Sequence, residues 1–203
     1  MTFVVLEGGE GVGKSTQVEM LAAALRSTGR EVVVTYEPGA TKAGAQMRAV
    51  LLHADAPIDP TAELLLMLAD RAQHVGEVVR PALARGAIVV CDRYTPSTLA
   101  YQGVGRELGV EHVESMSALA AGGLEPDVVV VLDLPDDVAE ARVSATRDRM
   151  ERAGAEFHRR VRAAYRDLAG ARGWIVVDAS GSPEAVTARV RAAVEPFVPN
   201  SPL

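Results

Sequence analysis

Five runs of valine, isoleucine and leucine punctuate the chain, at 3–6, 32–35, 87–91, 128–132 and 175–177. None of them alternates apolar with polar positions. Each is apolar almost throughout, the pattern of strands in a parallel sheet covered on both faces. Between them lie helical stretches near 14–28, 43–53, 61–85, 111–121, 136–145, 149–170 and 183–195. Pro81 falls inside the third and is expected to kink or divide it, because proline lacks the amide the helix ladder needs. Ser182-Pro183-Glu184 reads as a cap followed by proline at the first helical position, and Pro196 and Pro199 end that helix. No repeat, low-complexity tract or linker interrupts the order, and the tail 199–203 is expected to fray. Alternating strand and helix predict an α/β fold: a three-layer, doubly wound sheet of five parallel strands in one domain, 1–203, with ligands at the carboxyl ends of the strands.

Composition narrows this picture. The 203 residues are 48% hydrophobic and 24% charged, enough for one domain with a full core. A formal charge of −6 argues against nucleic acid or a membrane surface as partner. The single cysteine, Cys91, excludes an intramolecular disulfide and suits a reducing cytoplasm. No leader pattern precedes Phe3, and no apolar run approaches the ~20 residues of a membrane span. Only two lysines occur, Lys14 and Lys42.

One of those lysines lies in the most informative stretch. The first apolar run ends in Gly8-Gly9-Glu10-Gly11-Val12-Gly13-Lys14-Ser15-Thr16, which matches the phosphate-binding P-loop at every fixed position and opens into a helix. Glycines let backbone amides point at a phosphate chain without a Cβ in the way. Lys14 is placed to reach the β- and γ-phosphates, Ser15 to ligate Mg²⁺, and the helix start turns its positive dipole end to the same anion. Residues 8–16 are therefore the expected ATP-binding set, in a P-loop NTPase architecture.

The other strand exits supply further candidates. After the second strand comes Tyr36-Glu37-Pro38-Gly39, after the third Asp92-Arg93-Tyr94, and after the fourth and fifth Asp133 and Asp178. Asp133 and Asp178 are equally well read as turn or cap residues. Asp92 with Arg93 is more specific, offering a carboxylate toward metal and a guanidinium toward a second phosphate.

Eight arginines between Arg142 and Arg166 face three acids, a net of +5 in a chain of −6, which leaves −11 for the remainder. Arg159 to Arg166 read best as a solvated helix face. Arg147-Asp148-Arg149 falls at a break between two helices, the place for a lid, near 142–153, that brings positive charge to a transferring phosphoryl group.

With these residues in hand, the chain closely resembles the thymidylate kinases of the P-loop nucleoside-monophosphate kinase class, of the bacterial type with lid arginines. The resemblance spans Phe3 to about Val194. It rests on the P-loop, on Glu37-Pro38-Gly39, on Asp70-Arg71-Ala72-Gln73-His74 and, most specifically, on Asp92-Arg93-Tyr94-Thr95-Pro96-Ser97-Thr98-Leu99-Ala100-Tyr101-Gln102-Gly103. It implies ATP-dependent phosphorylation of dTMP to dTDP with Mg²⁺ held through Ser15 and Asp92, in a cytoplasmic homodimer.

Carried over residue by residue, the resemblance assigns Glu10 to the sugar 3′-hydroxyl and Arg93 with Arg48 to the 5′-phosphate. Arg71 falls on the thymine O4 edge, Thr98 on the N3 side, and Tyr101 against the 2′ position. Glu37, Pro38, Met67, Ser97 and Gln102 complete the acceptor set. Arg142 joins the ATP-binding set, and Lys14, Arg93, Arg147 and Arg149 are the expected catalytic group. Gly11 stands where some relatives have arginine, and relatives of that kind supply the charge from the lid. The chain departs from the family at Met67, where relatives stack an aromatic ring on the base, at Tyr36 for an arginine, at Ala40 for a glycine, and in a lid tip about two residues shorter.

Two other readings stay open: a kinase for another nucleotide, such as dUMP or a modified pyrimidine nucleotide, and a nucleotide-binding regulatory protein without turnover. No Asn-Lys-x-Asp guanine motif and no strand ending in Asp-Glu is present. His53, His74, His112 and His158 lack metal-ligand spacing, and Cys91 and Trp174 read as packing residues.

Overall fold

The computed structural model describes residues 1–142 and 149–198. The order is β1 (Thr2–Glu7), α1 (Lys14–Ser27), β2 (Val32–Tyr36), α2 (Lys42–His53), α3 (Pro60–His74), α4 (Arg80–Ala84), β3 (Ile88–Asp92), α5 (Thr95–Thr98), α6 (Val110–Ala121), β4 (Val128–Asp133), α7 (Asp136–Arg142), α8 (Ala155–Arg172), β5 (Ile175–Asp178) and α9 (Pro183–Val194). The five strands form one parallel sheet in the order β2-β3-β1-β4-β5. β1 sits in the centre, so the loop that leaves it opens between strands on both sides.

Both faces of the sheet are covered, and β1 shows how. Phe3 and Val5 enter a cluster with Leu51, Leu64, Val113, Phe157 and Tyr165, while Val4 and Leu6 enter one with Leu21, Leu25, Val186 and Val190. Successive residues feed opposite layers, and each must be apolar. At the sheet edges the rule relaxes: β2 and β5 leave Tyr36 and Val176 half exposed, because an edge strand has a neighbour on one side only.

Three boundaries differ from the sequence reading. The stretch 61–85 is one continuous helical path in which a π-helical turn, Val75–Val79, joins α3 to α4. Pro81 lies just beyond it; widening the ladder there accommodates the missing amide without breaking the path. Expected to begin at 149, the later helix begins at Ala155, because Gly154 turns to φ +98° behind a short 3₁₀ turn, Glu151–Ala153. After β3 the motif stretch is itself helical, α5 running on into a π-helical segment, Leu99–Gly105, that the periodicity did not reveal.

Candidate active site

The P-loop leaves β1 at Glu7 and re-enters regular structure at Lys14. Gly13, at φ +88°, is the N-cap of α1, and no side chain caps that helix among the described residues, so its first amides face the loop. Gly11 has φ +76°, and a Cβ there would overlap the Ala139 carbonyl oxygen. A side chain at this position would be strained and would force the end of α7 to shift. Arg142 stands exposed at the end of α7, its Cβ 3.4 Å from where a Gly11 Cβ would lie.

Lys14 is only 8% exposed and donates from Nζ to the carbonyls of Gly8 (3.1 Å) and Gly9 (2.6 Å). Burial, and then the neighbouring Arg93, pull its ammonium down to about 8, against the pull of Asp92, Glu10 and Glu7. The folded value lies below the ordinary 10.5, so the folded chain holds fewer protons than the unfolded one between about pH 8 and 10.5. Stability contributed by this group therefore rises with pH across that window. A bound polyphosphate reverses the pull, because its negative charge favours the ammonium. ATP binding at pH 8 is expected to take up on the order of half a proton through Lys14. Calorimetric titration in two buffers of different ionisation enthalpy measures it; equal uptake in Lys14→Met would refute the assignment.

Ser15, which follows Lys14, donates from Oγ to Asp92 Oδ2 (3.0 Å), while Asp92 Oδ1 is buried with no hydrogen-bond partner among the described residues. An unpartnered buried carboxylate oxygen beside a hydroxyl is a donor set of the kind Mg²⁺ takes.

Arg93 joins the two ends of the site. Its backbone is left-handed, φ +71°, held by its own amide donating to Leu6 O (3.0 Å) and by the Cys91 thiol on its carbonyl (3.1 Å). The side chain donates from Nη1 to Gly8 O, Ser97 Oγ and Tyr165 Oη, and from Nη2 to Tyr101 Oη. Its guanidinium also lies 5.2 Å from the centre of the Tyr101 ring. Beneath it is Glu7, wholly buried, whose Oε1 accepts the Tyr94 and Ser97 amides and whose Oε2 accepts the Ser97 and Tyr165 hydroxyls. One carboxylate thus caps α5 and fixes the turn that aims Arg93. Neither Glu7 nor Tyr165 stood out in the sequence; the signal for Glu7 is a charge at the end of an otherwise apolar central strand. Ser97, expected at the acceptor, lines the cleft and engages its hydroxyl with Glu7, Arg93 and Tyr165.

The acceptor candidates gather at the far end. Arg71 is buried and donates from Nη2 to Thr98 Oγ1 (2.8 Å) and from Nε to Glu37 Oε2 (2.9 Å), with Tyr94 under its plane. Glu37 gives its other oxygen to His74 Nδ1 (2.7 Å), whose Nε2 meets Thr35 Oγ1 (2.6 Å). Both Glu37 oxygens are thus engaged within the protein, and it orients Arg71. Asp70 accepts the Gly39 amide (3.0 Å), and burial, followed by the charge of Glu37, pushes its carboxyl up to about 6. Arg48 donates to the Pro38 carbonyl (2.7 Å) and lies over the Tyr36 ring.

Together these groups line one cleft of about 500 Å³, whose wall holds Glu10, Lys14, Ser15, Asp92 and Arg93 together with Arg71, Thr98, Tyr101, Met67, Leu52 and Met150. Burial, opposed chiefly by Arg93, raises the Glu10 carboxyl. Gln102 lines the cleft while donating to Glu63.

One expectation about the arginines is corrected, and the partners of another are defined. Arg149, expected in the lid, is engaged within the protein. It donates to Leu51 O (2.7 Å) and Glu63 Oε2 (2.6 Å), because a buried carboxylate and a helix C-terminus hold the guanidinium better than solvent does. Arg162 is not solvated; it is buried over Gly9 and pairs with Asp136 (2.9 Å) and Glu140 (2.8 Å), fastening α7 to α8 beside the loop. Arg147 lies outside the described residues.

The chain is similar to known proteins along nearly its whole length. The family model described as Thymidylate kinase matches residues 6–190. A thymidylate kinase of a Synechococcus strain is 51% identical over 199 residues, covering 97% of this chain and 96% of its own. Those of Leifsonia xyli and Solidesulfovibrio magneticus are each 49% identical, over 95% and 93% of this chain and 94% and 96% of their own. A family match over most of the chain, half-identity along nearly the full length, and one cleft joining a P-loop to a second cationic site leave one conclusion: the chain belongs to the thymidylate kinase family.

Proposed function

We propose that the protein transfers the γ-phosphoryl group of ATP to dTMP, giving dTDP and ADP by direct in-line displacement. The observation that carries this is the single cleft running from Lys14 and Ser15 past Arg93 to Arg71 and Thr98. Lys14 releases the Gly8 and Gly9 carbonyls to meet the β- and γ-phosphates, and the open amides at the start of α1 hold the same chain. Arg93 grips the acceptor phosphate with Arg48. Arg71 and Thr98 read the base edge, Glu10 holds the 3′-hydroxyl, and Tyr101 bars a 2′-hydroxyl. The acceptor is already an oxyanion at neutral pH, so no general base is needed; the work lies in alignment, charge neutralisation and exclusion of water.

Mg²⁺ would be held by Ser15 and the free oxygen of Asp92, which fit it. When bound, it would supply positive charge that offsets the phosphate charge during the transfer.

ADP release coupled to a reporter, with dTMP, dUMP, dGMP and dCMP as acceptors, tests the reading; dTMP is expected to be turned over best. Preference for another pyrimidine nucleotide would favour the second reading, for which the specific observation is the base wall of Met67, Met150 and Leu52 in place of an aromatic ring. No turnover with any acceptor would leave a regulatory binder.

Homodimer assembly is also part of the proposal, supported by the exposed apolar Val50 on α2 and Leu65 on neighbouring α3. Sedimentation at one chain mass rather than two would remove it. A cytoplasmic setting agrees with the absence, among the described residues, of any helix long and apolar enough to cross a membrane.

A further inference from the structure

Away from the phosphates, one carboxylate gathers more of the site than any other group there. Glu63, on α3, is fully buried. Its Oε1 accepts from Gln102 Nε2 (2.9 Å) and Arg106 Nε (3.1 Å), and its Oε2 from Arg106 Nη2 (3.1 Å) and Arg149 Nη2 (2.6 Å). Arg149 is tied down twice more, its amide to Leu52 O (3.0 Å) and its Nε to Leu51 O (2.7 Å), at the carbonyl end of α2. Met150, next in the chain, is buried, and its sulfur is met by both guanidinia, from Arg149 at 3.4 Å and Arg106 at 3.8 Å. Met150, Glu151, Leu52 and Gln102 all line the cleft. Three chain segments that wall the acceptor end therefore converge on one buried charge.

We propose that Glu63 is a positioning residue for the acceptor and that Arg149 acts through it, fastening the Met150–Glu151 wall to α2 and to the segment that carries Gln102. The charge matters as much as the shape. Burial by itself would raise the Glu63 carboxyl, but hydrogen bonds from Arg106, Gln102 and Arg149 hold it below the usual value, so it stays an anion between donor-only partners. A glutamine in its place would turn an amide donor toward a guanidinium on one side. The charge also answers what Arg149 is for: it spans Glu63 and a carbonyl of α2, whereas a residue serving the transferred phosphoryl group would leave its donors free.

The inference rests on the acceptor assignment above, and the test separates the two. Wild-type turnover of dTMP is measured first; its absence would fail the assignment rather than Glu63. Then Glu63→Gln, Arg149→Met and the double variant are compared by KM for each nucleotide, kcat and melting temperature. Displacing a wall by about an ångström is expected to raise KM for dTMP about tenfold or more, with KM for ATP near that of the wild type. Since both residues act through one contact, the double variant is expected to be no worse than the worse single one. A fall in kcat at unchanged KM for dTMP, multiplying in the double variant, would overturn the proposal and return Arg149 to the phosphoryl group. Unchanged kinetics with a lowered melting temperature would also overturn it, reducing Glu63 to a structural ion pair. Should Glu63→Gln fail to fold, Arg149→Met decides alone, by calorimetric dTMP affinity against ATP affinity: acceptor-selective loss supports the proposal, and equal or no loss overturns it.

Discussion

Lys14→Ala is expected to lower kcat by about 10³-fold or more, since a charge aimed at a transferring phosphoryl group is worth several kcal/mol in the barrier. The same variant is expected to keep or slightly raise its melting temperature at pH 7. The reason lies in the burial of the lysine. Lys14 is buried, and its ammonium is drawn down to about 8, first by burial and then by Arg93. Holding it charged at pH 7 costs the folded state free energy that a short apolar side chain does not. Losing its hydrogen bonds to the Gly8 and Gly9 carbonyls offsets part of that gain, so the net change is small. Melting curves beside single-turnover rates check both halves. Retention of a tenth of wild-type kcat would remove Lys14 from the reaction.

Arg93→Ala is expected to weaken dTMP binding by about 2–5 kcal/mol, roughly 30-fold to several-thousand-fold, with a much smaller loss for ATP. Its Nη1 touches Gly8 of the P-loop as well as Ser97 and Tyr165, so some donor-side loss is part of the expectation. Equal losses in titrations with the two nucleotides would place Arg93 on the donor or make it structural. A second variant separates the side chain from the backbone. Because φ is +71°, alanine is strained there and glycine is not. Arg93→Gly should match Arg93→Ala in dTMP affinity while being more stable by about 1 kcal/mol. The native chain tolerates the left-handed turn because Glu7 and the Leu6 carbonyl hold it from both sides, and the turn is what brings the guanidinium out of the sheet end toward the cleft.

The arginine-rich stretch shows the limits of local reading. Arg149 and Arg162 are both arginines among arginines, and nothing in their neighbours distinguishes them. Arg162 is buried because α8 presents it to Gly9 and to two acids of α7, twenty-odd residues earlier in the chain. Arg149 is held by Glu63, 86 residues away. Charge composition registers that such residues are cationic; which anion each one finds depends on elements brought together by the sheet.

The sequence by itself determined the strand-helix alternation, the P-loop, the acceptor motif after β3 and the family, because these depend on local order: apolar runs dictate burial on two faces, and a glycine spacing dictates a backbone path. Only the tertiary structure decided how the polar residues of the site pair with one another. Glu37, Ser97 and Gln102 carry the same functional groups whether they hold substrate or hold Arg71, Glu7 and Glu63, and the difference is one of distance across the fold. Buried polar groups must be paired, so the partners available at long range, rather than the residue types, set each pairing.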